Sequence, residues 1–120
     1  IRLVKKTVPG LLVSTSGLGH GRMNDLVAKE ADFILIHFNG TKVKDIPQRI
    51  GALKKYNKPI VCNEDDKVGN VAATALQASV ENSCSWGFMH KNVNQYQPFE
   101  FNGCDDDRKV YDKFKEVTEK

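Results

Sequence analysis

KPIVCNEDDKVGN, residues 58–70, sets three β-forming apolar residues, Ile60, Val61 and Cys62, directly in front of Asn63, Glu64, Asp65 and Asp66. Consecutive apolar residues suit a strand covered on both faces, so the stretch predicts a strand that ends at a cluster of carboxylates. The same pattern occurs in ADFILIHFNG (31–40), in CSWGFMH (84–90) and, more weakly, in GLLVSTSG (10–17), where glycine closes a short β-rich run.

A helical pattern follows each run. MNDLVAKEAD (23–32) offers Asn24 or Asp25 as an N-cap and Leu26, Val27 and Ala31 as an apolar stripe. IPQRIGALKKYN (46–57) places Ile46, Ile50 and Leu53 on one helical face, with Pro47 suited to the first turn. VAATALQASVENS (71–83) is an alanine-rich helix fit for close packing, and DDDRKVYDKFKEVTEK (105–120) has acids at its start and a stripe of Val110, Phe114 and Val117. Strands starting near residues 11, 33, 60 and 84 repeat at roughly 25 residues, the length of a βα unit. The expected fold is therefore α/β, with four βα units in a parallel sheet ordered 1-2-3-4 and curved like half of a TIM (βα)8 barrel. Residues 1–120 form one domain in this reading, with 1–9 as an N-terminal lead-in and 91–104 as a long loop before the last helix.

The chain has 120 residues, short of the ~250 of a closed (βα)8 barrel. It opens at Ile1 without a methionine, as if in mid-gene, so a missing N-terminal region is expected. With 18 basic and 15 acidic side chains and no basic run, a nucleic-acid partner has no support. No apolar run approaches the ~20 residues of a membrane span. Of the three cysteines, Cys62 and Cys84 read as small buried strand residues and Cys104 as a loop thiol.

Parallel sheets build their sites at the carboxyl ends of their strands, where loops and helix N-termini converge. His20 follows the first predicted strand, His37 and Asn39 end the second, Asn63 and Glu64 end the third, and Trp86 and His90 lie on or past the fourth. Each has a plainer alternative. The three acids 64–66 also read as a solvated loop with Asp65 or Asp66 capping the next helix, the histidines as satisfied polar residues, and Trp86 as core packing. Gly17, Gly19 and Gly21 precede a helix beside Arg22, but their spacing matches neither G-x-G-x-x-G nor a P-loop.

KPIVCNEDD followed by SCSWGFMH resembles the seventh and eighth strands of the retaining, cellulase-like glycoside hydrolases of clan A, which are (βα)8 barrels. ADFILIHFNG and GLLVSTSG would then be the sixth and fifth, and the resemblance spans residues 9–119. It implies Glu64 as the catalytic nucleophile, Trp86 as the platform under a sugar and His37 as a polar neighbour, and hence a carbohydrate ligand. Asn63, His90 and His20 join the expected substrate-binding set by their place at the strand ends, and no cofactor or metal is expected. The family's acid/base glutamate ends strand four, which precedes this chain. Retaining hydrolysis needs two carboxyl groups about 5–5.5 Å apart, so no turnover is expected from this chain alone.

Two other readings compete: a metal-dependent hydrolase using His20, His37, His90 and Glu64 as ligands, and a non-catalytic assembly or carbohydrate-binding module. An open half-barrel would expose its interior, so a homodimer is expected, closing an eight-stranded barrel with strand one of each chain against strand four of the other.

Overall fold

In a computed structural model of the chain, described for residues 1–17 and 19–119, the parallel sheet has three strands and not four. β1 (Ile34–His37), β2 (Ile60–Glu64) and β3 (Cys84–Ser85) lie side by side in the order β1-β2-β3. Five α-helices accompany them among the described residues: α1 (Arg2–Thr7), α2 (Asp25–Glu30), α3 (Ile46–Leu53), α4 (Gly69–Glu81) and α5 (Arg108–Thr118). This corrects the expectation of four βα units. A half TIM barrel does not stand, and with it goes the closure of an eight-stranded barrel from two copies.

The missing strand has a physical cause. Residues 11–17 touch the sheet only at separated points: Ser16 bridges Leu35, the Gly17 amide donates to the Leu35 carbonyl at 2.9 Å, and Asp32 N donates to Val13 O at 2.9 Å. Between these, side chains take the bonds a ladder would need. The Asp32 carboxylate accepts from Val13 N at 2.7 Å, and the Ser14 hydroxyl donates to the Phe33 carbonyl at 2.6 Å. Leu11 and Leu12 stay exposed, so the segment gains little burial from lying flat on the sheet. The lead-in at 1–9 carries α1, tied to the fold by Arg2 to Glu30 and Lys5 to Asp32, both at 2.6 Å.

Four of the five helices form where the spacing predicts them; α1 arises in the lead-in, and α2 buries Ala28 while Leu26 of its expected stripe is exposed. Ile46, Ile50 and Leu53 are the buried residues of α3, with Pro47 in its first turn. Asn24 caps α2, its Oδ1 accepting from Leu26 N at 3.0 Å. Asp107 caps α5 through Val110 N, and its other oxygen accepts from Gly69 N at 2.6 Å, joining the starts of α4 and α5. Lys58, just ahead of β2, donates to the carbonyls of Ala28, Lys29 and Ala31 and so closes the carboxyl end of α2.

One face of the sheet is buried and the other is not. Ile34, Ile36, Phe38, Ile60, Cys62, Cys84 and Trp86 pack with Ile46, Ile50, Leu76 and Val110 into a single core. Leu35 and Val61, which point the opposite way, are only half-buried, and Ser85 is exposed. No described helix is long and apolar enough to cross a membrane.

Candidate functional site

The site is built by one extra residue in β2. Ile36 of β1 pairs with Cys62, but the next residue, His37, pairs with Glu64, so Asn63 is bulged out and exposed. The same slip occurs on the other side, where Val61 pairs with Ser85 and Asp65 with Phe88. A bulge reverses which face the following side chains take. Without it Asn63 would stand beside His37 and Glu64 would turn toward the core. With it, Glu64 joins His37 on the less covered face and Asp65 goes into the core.

Gly87 makes the bulge possible. A Cβ at this position would lie 2.7 Å from the carbonyl carbon and oxygen of Asn63, closer than any side chain tolerates. The bulged strand is then held by Phe38 N to Glu64 O and Asp65 N to Gly87 O, both 2.9 Å, with the Cys62 thiol 3.5 Å from the Glu64 carbonyl. Burial pushes that thiol up to about 11, so it stays a neutral donor.

Glu64 is half-buried at the carboxyl end of β2 and has two polar neighbours. Its Oε1 accepts a short hydrogen bond from the Asn39 side-chain amide, and its Oε2 lies 3.7 Å from His37 Nδ1, beyond direct hydrogen-bonding distance. His37 Nε2 and Asn39 Oδ1 are buried without a partner among the described residues. The arrangement is a carboxylate oriented by an amide, beside an imidazole, with unmatched acceptor and donor capacity around it.

The other residues singled out from the sequence lie elsewhere. Trp86 is 6% exposed in the core, its indole against Phe88 and Phe114. It takes the core-packing alternative and presents no open face to a sugar. Asn63 is on the bulge, exposed, with no bond to Glu64. His90 packs edge-on against Phe88 and accepts from Asn92 N at 3.3 Å. His20 is exposed, its ring resting on Gly40, where a Cβ would come within 2.6 Å of the imidazole. Among the described residues no three His, Cys, Asp or Glu side chains converge to hold a metal, so the ligand set of His20, His37, His90 and Glu64 is not assembled.

Four residues outside the predicted set complete the picture. Asn39 is the direct partner of Glu64, and its position two residues after His37 on the same strand end was the available signal. Asp65 is fully buried, contrary to a solvated loop, and it accepts from Trp86 Nε1 at 2.8 Å and from Lys67 Nζ at 2.8 Å. Lys67 also donates to the Phe38 carbonyl at 2.9 Å. Asp66 pairs with Lys91 at 2.8 Å. Comparison with protein-family models, with curated proteins and with solved structures gives no match to this chain.

Proposed function

We propose that the chain carries a glycoside-hydrolase-like saccharide site centred on Glu64, which binds a polyhydroxylated ligand and does not cleave it unaided. The observation that carries this reading is the bulge at Asn63, which turns the Glu64 carboxylate out of the core and sets it between Asn39 and His37. A carboxylate with an amide and an imidazole beside it offers the mixture of acceptors and donors that neighbouring sugar hydroxyls require.

The absence of turnover follows from the two nearest acids in sequence. Retaining hydrolysis needs a second, protonatable carboxyl across the scissile bond. Asp65 is committed to Trp86 and Lys67 inside the core, and Asp66 is paired with Lys91. Neither is free to serve as the acid.

The test is titration of the isotope-labelled chain with neutral β-linked gluco-, xylo- and manno-oligosaccharides, followed through backbone amide shifts, with aryl glycosides assayed in parallel. Saturable shifts at residues 37–39 and 62–65, weakened on the order of tenfold in Glu64→Gln and in Asn39→Ala, are expected, without aryl glycoside release above background. No saturable shift with any of the sugars, or binding that Glu64→Gln leaves intact, overturns the reading. Glycoside release abolished by Glu64→Gln overturns its non-catalytic half.

A further inference from the structure

A second site stands beside the first and has different chemistry. A cleft of about 340 Å³ is lined by His20, Arg22, Thr41, Lys42, Asp45 and Arg49, with Gly40 in its wall. Three cationic side chains face one carboxylate, and none of the three side chains makes a hydrogen bond or ion pair within the described residues. Three positive charges gathered beside a single carboxylate leave a positive excess, so their convergence costs stability unless an anion offsets it.

Backbone geometry forces the convergence. Gly21 has φ of 62° and binds the end of β1 through its amide to the His37 carbonyl at 2.7 Å. A Cβ there would meet the Phe38 ring at 2.9 Å and Arg49 Cβ at 3.1 Å, so only glycine lets this loop lie against α3 and bring Arg22 to Arg49. Gly40, which also lines the cleft, has φ of 71° and leaves room for the His20 ring.

Two buried, unpartnered polar atoms belong to residues that line the cleft. Thr41 is 5% exposed and its hydroxyl has no partner, and Arg49 Nε is buried and likewise unpartnered. A buried hydroxyl and guanidinium nitrogen each carry a desolvation cost that a bound acceptor would remove. Guanidinium groups match tetrahedral oxyanions through paired N–H donors, with lysine adding a point charge and a hydroxyl one more donor.

The geometry points to an oxyanion-binding site that takes the phosphate or sulfate group of a monoester between Arg22, Arg49, Lys42 and Thr41. It is independent of the saccharide reading, since none of its cationic or hydroxyl groups touches Glu64.

The probes are inorganic phosphate and inorganic sulfate, titrated into the labelled chain at constant ionic strength made up with chloride. Saturable amide shifts at Gly21, Gly40 and Thr41 are expected, weakened on the order of tenfold in Arg49→Gln and in Arg22→Gln and unchanged in Lys55→Gln. Arg22 is exposed, so its variant reports on the site even if Arg49→Gln unfolds. Tighter phosphate assigns the cleft to phosphate esters and tighter sulfate to sulfate esters. Shifts that chloride reproduces, or that both arginine variants retain, overturn the site.

Discussion

Trp86 Nε1 donates a 2.8 Å hydrogen bond to Oδ2 of Asp65, and the two residues are 6% and 0% exposed. The indole is therefore the lid on a buried ion pair, since the other oxygen of Asp65 is taken by Lys67 Nζ at 2.8 Å. Removing one partner of such a pair leaves an uncompensated charge. Asp65→Ala is expected to cost about 3–5 kcal/mol in urea unfolding, and Trp86→Phe, which keeps the ring and loses one donor, about 1.5–3 kcal/mol. Asp65→Ala costing less than Trp86→Phe would show that the pair is not what holds the indole.

Gly87 and Gly51 make opposite predictions from the same substitution. The Gly87 Cβ would strike the Asn63 carbonyl at 2.7 Å, and this contact is with backbone that cannot turn aside. Gly87→Ala is expected to cost about 1–3 kcal/mol and to perturb the amide shifts of Asn63 and Glu64, because relief requires moving the bulge. Gly51, exposed on α3, has nothing within 4 Å of its would-be Cβ, so Gly51→Ala is expected to add about 0.5–1 kcal/mol through helix propensity. Thermal denaturation of the two variants beside the parent decides both.

These two glycines also divide what the sequence discloses from what it hides. The spacing of Ile46, Ile50 and Leu53 identifies α3 and its buried face because helical periodicity is a local property. β2 is legible as an apolar run for the same reason, and so is the arrival of Glu64 at its carboxyl end. The bulge is not local. Its cause at Asn63 and its allowance at Gly87 lie on different strands, and neither residue is unusual by itself. The faces of Glu64 and Asp65 therefore could not be assigned from alternation, and Asp65 looked like one solvated acid among three. At residues 11–17 the β-rich composition predicts a first sheet strand that does not form, because Asp32 and Ser14 capture its hydrogen bonds. Arg22 and Arg49 lie 27 positions apart in the sequence, and only Gly21 brings them together.

The three thiols are expected to separate by reactivity. Burial raises Cys62 to about 11 and Cys84 to about 12, whereas Cys104 is exposed on the loop before α5. Under native conditions a thiol reagent should modify one cysteine quickly, mapped to Cys104 by peptide mass, and the other two only as the chain unfolds. A linked effect follows above the ordinary thiol value of 9.0: the unfolded chain releases protons that the fold retains. Stability from these groups is thus complete below that value and is lost as pH rises toward 11 to 12. Two or three thiols reacting at equal native rates would contradict the burial of β2 and β3.

Asp32 predicts the opposite response at the acid end. Its carboxyl is held below the usual value first by the hydrogen bond from Lys5 at 2.6 Å and then by that from Val13 N at 2.7 Å. A carboxyl whose folded value is depressed adds stability above its unfolded value of 3.8 and loses it as pH falls through the folded one. What Asp32 secures is local, namely α1 and residues 11–17 against the edge of β1, while the core of α3, α4 and α5 does not depend on it. Hydrogen exchange should therefore show the Val13 amide losing protection on acidification from about pH 5 to about pH 2, ahead of the amides of α4. Asp32→Asn should lower that protection at neutral pH and remove its acid dependence. If Val13 and α4 instead lose protection together at every pH, the edge segment opens only with the whole domain, and its attachment through Asp32 is not a separate local equilibrium.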